Sequence, residues 1–273
     1  MGTRLLEREG GTAGDGAGAV AAETPAADGA GIVTCDRTGA PLPYPMPEIV
    51  LRIRDEYDWD SVLPPRAGTL RWRIERRLKR AIDVVVSLVG LIVLAPVLVL
   101  IALIVRLTSE GPIFYPWRVL GERARPFVGY KFRTMVPNAD ALKRELLARN
   151  QMTGPVFKMR DDPRVTPVGR WLRKFSLDEL PQLWSVLKGD MSLVGPRPPS
   201  AEEFAAFKPW QHGKLAVIPG ITCLWQVQGR SEIADFDQWA SLDLEYIRNW
   251  SLWLDLKILL KTIPVVIAGK GAY

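Results

Sequence analysis

Val84 to Val105 is a run of 22 residues without a charged side chain. At about 1.5 Å of rise per residue a straight helix of that length reaches roughly 33 Å, about the hydrocarbon thickness of a bilayer. Arg66 to Arg80, just upstream, carries seven basic residues against one acid, Glu75. A spanning helix is the first reading. Two features point instead to a re-entrant segment. Pro96 lies near the middle of the run, where its missing N–H and its clash with the preceding turn kink or break a helix. Basic residues also follow the run at Arg106, Arg118, Arg123, Arg125 and Lys131, so the charge rule does not put its two ends on opposite faces. A segment that dips into the bilayer and returns to the cytoplasmic side satisfies both. A single span and a buried helix of a soluble protein are the alternatives.

On either side of this segment the chain changes character. From Gly10 to Gly31, 15 of 22 residues are Gly or Ala without apolar periodicity, which predicts a disordered tail retained in the mature chain, since no secretory pattern is present. Pro41, Pro43, Pro45 and Pro47 alternate with other residues and predict an extended linker. Ordered structure is expected from about residue 58. The expected organisation is a Gly/Ala/Pro-rich tail over 1–57, a basic amphipathic lead-in over 58–80, the re-entrant helix over 81–107 and a cytoplasmic domain over 108–273. Within that domain Pro126 to Met135 reads as a strand or hairpin, Ala139 to Arg149 as a short polar helix, and Leu215 to Gly229 as extended pieces around Pro219-Gly220. Phe236 to Ile267 reads as helices that either lie in the headgroup layer, with Trp239, Trp250 and Trp253 at the interface, or face the core. The fold class is α+β, mostly helical and membrane-associated, with a small β-hairpin and an N-terminal Pro-broken membrane helix.

Composition limits the chemistry. One histidine, His212, and two cysteines 188 positions apart, Cys35 and Cys223, cannot build a multi-histidine cage or a four-thiolate zinc site. Carboxylates, hydroxyls, Lys and Arg remain, with an oxygen-liganded cation such as magnesium as the metal they suit. The net charge of +6 favours anionic partners.

Three stretches have the residues such chemistry needs. Leu180, Leu183, Trp184 and Leu187 mark one helix face ending at Gly189. Asp178 is the preferred N-cap, because a cap at Ser176 would place Pro181 too deep in the helix. That position sets an ionised carboxylate at the positive end of a helix, close to Arg173 and Lys174, where a phosphate would also bind. Facing a phosphate, with a metal or Arg to offset repulsion, Asp178 can act as a nucleophile; taken alone, the segment favours a capping Asp beside a solvated Glu. Gly189 to Pro198 joins small residues to Arg197, and Tyr130 to Thr134 puts Lys131 and Arg133 on one strand face. Dinucleotide and P-loop fingerprints are absent.

Together these residues resemble the bacterial sugar transferase family, the monotopic phosphoglycosyl transferases. The pieces that carry the likeness are KRAID (Lys79 to Asp83) before the apolar run, GPIFY (Gly111 to Tyr115), YKFRTM (Tyr130 to Met135), Asp162 to Pro198, PGITCLWQVQGR (Pro219 to Arg230) and Leu242 to Thr262. The resemblance runs from about Arg77 to the C-terminus. It implies transfer of a sugar-1-phosphate, galactose or glucose favoured, from a UDP-sugar to polyprenol (undecaprenyl) phosphate with release of UMP, as the first membrane step of exopolysaccharide or O-antigen assembly. By the same resemblance Asp178 is the nucleophile that becomes a covalent phosphosugar, Glu179 its acid/base or metal-positioning partner, and Asp178 and Glu179 the ligands of Mg2+. Lys131, Arg173, Arg197 and Arg230 match phosphate-holding positions, and Pro96 the helix-breaking proline. The implied partners are the UDP-sugar, polyprenol phosphate and lipid of the bacterial inner (cytoplasmic) membrane, with the catalytic domain on its cytoplasmic face and no nucleic acid. A homodimer is compatible with the sequence, which does not fix oligomeric state. After GPIFY the usual family pattern gives way to Pro116-Trp117-Arg118-Val119-Leu120-Gly121, so no role carries over there. Cys223 replaces a common Gly, and the Gly/Ala tail is expected to stand where larger members carry an N-terminal multi-helix membrane module. The non-enzymatic alternative is a membrane-tethered scaffold that binds anions without turnover.

Overall fold

A computed structural model of the chain describes residues 31–229 and 233–269. Its first elements correct the expected tail, whose residues beyond Gly31 fold. Strand β1 (Ile32–Cys35) pairs antiparallel with β2 (Pro41–Pro47), and α1 (Glu48–Glu56) follows. In β2 the prolines Pro41, Pro43 and Pro45 point outward while Tyr44 and Met46 are buried, so a two-residue alternation puts the imino acids where no ladder N–H is needed. Tyr44 donates its hydroxyl to the Val119 carbonyl at 2.8 Å, fastening this hairpin to the next one.

Helix α2 (Leu70–Thr108) has 39 residues and starts at Thr69, whose side chain accepts from the Trp72 N–H. It passes through Pro96 as one helix, so the expected break is not a helix end; the proline removes one hydrogen bond without terminating the element. Among the described residues α2 is the one helix long and apolar enough to cross a membrane, and little of its apolar surface is covered by protein. Both flanks of the uncharged run are held by the same body. Upstream, Asp83 accepts from the Leu193 N–H at 3.0 Å and Arg80 donates to the Val186 and Leu187 carbonyls. At the other end, Ile101 and Val105 in the last turns of the run pack with Phe132 and Leu172, and just past it Arg133 donates to the Ser109 carbonyl and hydroxyl at 2.8 Å.

The rest is mixed and mainly helical, with three two-stranded sheets among the described residues where sequence predicts one hairpin. Strands β3 (Phe114–Leu120) and β4 (Pro126–Phe132) form that hairpin. Then come α3 (Ala139–Leu146), α4 (Pro167–Lys174), α5 (Gln182–Lys188), β5 (Ser192–Val194), α6 (Ala201–Ala205), β6 (Gly220–Thr222), α7 (Leu224–Gln228), α8 (Phe236–Arg248) and α9 (Leu252–Ala268). The parallel pair β5–β6 and the short α7 occupy part of the segment expected to be extended throughout. The two readings of the C-terminal helices divide between them. Helix α8 faces the core with Phe236, Trp239, Leu244 and Ile247, whereas α9 leaves Trp253, Leu256, Leu260, Ile263 and Ile267 exposed.

Candidate active site

Helix α4 begins at Thr166, whose hydroxyl accepts from the Gly169 N–H at 3.0 Å, with Pro167 in its first turn. Gly169 lies against the Thr134 backbone so closely that a Cβ would overlap the Thr134 carbonyl. That approach brings Arg173, one turn on, to the Thr134 hydroxyl, to which its Nε donates at 2.9 Å.

The chain then turns sharply. Ser176 has a left-handed backbone (φ 54°), uncommon for a residue with a Cβ, and Leu177–Glu179 form a 3₁₀ turn before α5. Asp178 is therefore not the cap of α5, as sequence predicts: it sits inside the 3₁₀ turn, and Pro181 occupies the N-cap. The left-handed Ser176 makes the difference, because it ends α4 and restarts the helix in a new direction. Gly189 does close α5 in the left-handed conformation (φ 98°), as expected. The apolar stripe behaves differently from expectation. The buried face of α5 is Gln182, Ser185 and Val186, while Trp184 is exposed and Leu183 reaches toward Gly90 of α2.

The turn delivers Asp178 and Glu179 to the wall of a cavity of about 480 Å³, also lined by Lys131, Arg173, Arg197 and Trp117. Lys131 Nζ donates to Glu179 Oε1 at 2.6 Å, and Arg197 Nη1 donates to the same oxygen at 3.3 Å. Burial by itself would raise the Glu179 carboxyl, but Lys131 and Arg197 outweigh it and hold Glu179 well below the usual carboxylate range. Asp178 has no salt bridge among the described residues, and burial together with the charge of Glu179 pushes its pKa up to about 6. One carboxylate is thus clamped by two cations that favour its ionised form, and its neighbour is buried without a salt bridge among the described residues. Burial lowers the Lys131 ammonium from its ordinary value in spite of Glu179.

Trp117 is a site residue that sequence reasoning passes over. Lys131 Nζ lies 3.8 Å from the indole centroid and the Arg197 guanidinium 5.3 Å from it. The hairpin register explains the contact. Lys131 pairs with Tyr115 and Gly129 with Trp117, so Trp117 is the diagonal neighbour of Lys131 on one face, with no side chain opposite it. Asn150 is another. Its Oδ1 accepts from the Met152 and Lys158 N–H groups at 3.2 and 2.9 Å and its Nδ2 donates to the Val156 carbonyl at 3.0 Å, shaping a loop whose Val156, Phe157, Lys158 and Met159 line the cavity. A register-level reading could have found Trp117.

Of the sequence-predicted set, Asp178, Glu179, Lys131, Arg173 and Arg197 converge on this cavity. Arg133 also lines it but spends two bonds on Ser109, at the end of α2. Pro96 lies within α2, and Arg230 lies outside the described residues. The donor set suits the implied magnesium in one form only. Among the described residues no group of three or more His, Cys, Asp or Glu could cage an ion, so a hard cation here would use the adjacent Asp178 and Glu179 carboxylates plus oxygens brought by a phosphorylated ligand.

The profile of the bacterial sugar transferase family matches residues 74–269. The chain is 45% identical over 194 residues to the galactosyl transferase CpsE of Streptococcus agalactiae serotype III (strain NEM316), covering 71% of this chain and 43% of that protein. It is 44% identical over 211 residues to the undecaprenyl-phosphate galactose phosphotransferase of Salmonella typhimurium (strain LT2), covering 76% of this chain and 44% of that protein. The matched part is thus less than half of either relative. The exopolysaccharide production protein ExoY of Sinorhizobium fredii is 39% identical over 215 residues, covering 77% of this chain and 94% of that protein.

Proposed function

The chain belongs to the bacterial sugar transferase family, and from that premise we propose that it transfers a hexose-1-phosphate from a UDP-hexose to undecaprenyl phosphate at the cytoplasmic face of the inner membrane. The observation that carries the reading is the unequal pair: Glu179 clamped by Lys131 and Arg197, beside a buried Asp178 without a salt bridge among the described residues, in a cavity that also holds Arg173.

The carboxylate of Asp178 attacks the phosphorus that bears the hexose. An Asp–O–P bond forms as the bond from that phosphorus to the UMP oxygen breaks, and UMP leaves with the electron pair. A phosphate oxygen of the polyprenol phosphate then attacks the same phosphorus, the Asp–O–P bond breaks, and the carboxylate is restored. Arg173, Arg197 and Lys131 bind the diphosphate and its developing charge. Glu179 stays ionised in this setting, which favours an orienting role over proton transfer. Magnesium held by Asp178 and Glu179 would supply further neutralisation of the diphosphate. The loop ordered by Asn150 stands where it can read the sugar, and galactose or glucose is the favoured hexose. The attachment of both flanks of the apolar run to one body supports a helix that enters and leaves the bilayer on the same side.

The test is purified protein with undecaprenyl phosphate and, side by side, UDP-galactose, UDP-glucose and UDP-N-acetylhexosamines. UMP release with a hexose donor is expected, and a phosphohexose adduct on Asp178 should appear by mass spectrometry when donor is supplied without acceptor. Asp178→Asn should abolish both. An active Asp178→Asn protein would refute the covalent mechanism, and salt-sensitive anion binding without turnover by any donor would favour the scaffold alternative.

A further inference from the structure

Upstream of the uncharged run, α2 carries an apolar row that no protein covers. Leu70, Ile74, Leu78 and Ile82 follow one another at four-residue spacing and are 73%, 55%, 50% and 40% exposed. The row continues into the exposed Val85, Val89 and Val93. The opposite face of the same turns is fully engaged. Trp72 meets Trp250 edge-on at 6.4 Å, Arg76 pairs with Glu122 at 3.0 Å, and Lys79 pairs with Asp255 at 2.7 Å. Position along the helix then limits what can cover the row. Arg71, Arg73, Arg76, Arg77, Lys79 and Arg80 all fall between Leu70 and Asp83, too many charges for the hydrocarbon core, so this stretch of roughly 20 Å lies at the headgroup level.

The cations beside the row match that level. Arg71, Arg73 and Arg77 flank it and are exposed. Arg71 spends its charge on Glu75, which Arg66 also neutralises. Arg73 donates only to the Gly68 carbonyl, and Arg77 has no hydrogen bond or ion pair among the described residues. Apolar side chains in one row, with under-used guanidinium groups beside them, are the composition of a helix lying in a headgroup layer of anionic lipid.

We propose that the Leu70–Ile82 face of α2 is an anionic-phospholipid contact, with Leu70, Ile74 and Leu78 at the acyl boundary and Arg73 and Arg77 on lipid phosphates. The inference concerns a surface that does not line the Asp178 cavity and stands whether or not the proposed transfer reaction is correct.

The test uses the full chain carrying Ile74→Cys or Leu78→Cys, reconstituted in vesicles of phosphatidylcholine alone or with phosphatidylglycerol added. Labelling by a membrane-impermeant maleimide is read by peptide mass spectrometry against the exposed native Cys35, while Cys223 is buried. Labelling at 74 and 78 relative to Cys35 should fall about tenfold or more when phosphatidylglycerol is present, and Arg73→Gln with Arg77→Gln should remove most of that protection. Equal labelling in the two lipids would overturn the proposal. Protection that persists in detergent and grows with protein concentration would overturn it too, in favour of a second copy of the chain on this face.

Discussion

Replacing Trp117 with leucine should move the alkaline limb of the pH–rate profile to lower pH while leaving the fold intact. The indole face supports the Lys131 ammonium at 3.8 Å, and the Lys131 side chain is only 12% exposed. A cation–π contact in such a desolvated place is worth about 2 kcal/mol, against about 0.5–1 kcal/mol at an exposed one. Its loss disfavours the charged form and lowers the Lys131 ammonium further, in the direction that burial already takes it. In the proposed role the cation is the phosphate-binding form, so activity should fall as pH rises through this pKa, and a lower pKa brings the fall earlier. The assay is UMP release across pH 6 to 10, fitted as kcat/KM. Trp117→Phe should lie between the parent and Trp117→Leu. Lys131→Arg should lose the limb, because a guanidinium does not titrate in this range. If Trp117→Leu lowered the rate uniformly with the limb unmoved, the ring would be packing only and the reasoning would fail.

Other outcomes follow from the same geometry. Activity should fall with decreasing pH through about 6 as Asp178 takes up a proton, with a slope of one in log kcat/KM. Because its folded pKa is raised from 3.8 to about 6, the ionised Asp178 costs stability as pH rises through that window. Asp178→Asn should therefore melt higher than the parent at pH 8, by up to about 3 kcal/mol, with the gap closing below pH 4; an equal or lower melting temperature at pH 8 would contradict the burial argument. Lys79→Met leaves Asp255 half-satisfied by Tyr246 and Trp250, and should cost about 3–5 kcal/mol, read as a loss of thermal stability in detergent that Asp255→Leu partly restores. Gly169→Ala drives a methyl into the Thr134 carbonyl and should cost about 1–3 kcal/mol; if it also breaks the Arg173–Thr134 bond, KM for the donor rises more than kcat falls.

What the sequence reveals depends on whether a feature is written locally. The uncharged run, the hairpin around Tyr130, the stop at Gly189 and the helices after Phe236 each follow from neighbouring residues, and each is found where sequence predicts it. The Asp178-Glu179 pair and its cations are legible through motif resemblance, and their convergence on one cavity is visible only in three dimensions. Two local readings go astray for identifiable reasons. Alternating prolines mask an alternation of buried Tyr44 and Met46 that itself signals a strand. The start of α5 is misplaced because capping rules assume a regular approach, whereas Ser176 takes a left-handed turn that is rare for its type. The clamp of Trp117 on Lys131 depends on strand register, and the pinning of the loop by Asn150 depends on partners up to eight residues away.

Strand β5 joins two otherwise distant events. Its Leu193 N–H is bonded to Asp83 and its Val194 carbonyl to Lys79, both on α2, while Arg197 follows three residues after its end. In the proposed reaction the seat of the protein in lipid and the hold on donor phosphate would thus be two ends of one short lever. A bilayer whose thickness forces α2 to ride higher or lower would draw on Arg197 as well, so membrane composition becomes a handle on affinity for the soluble donor.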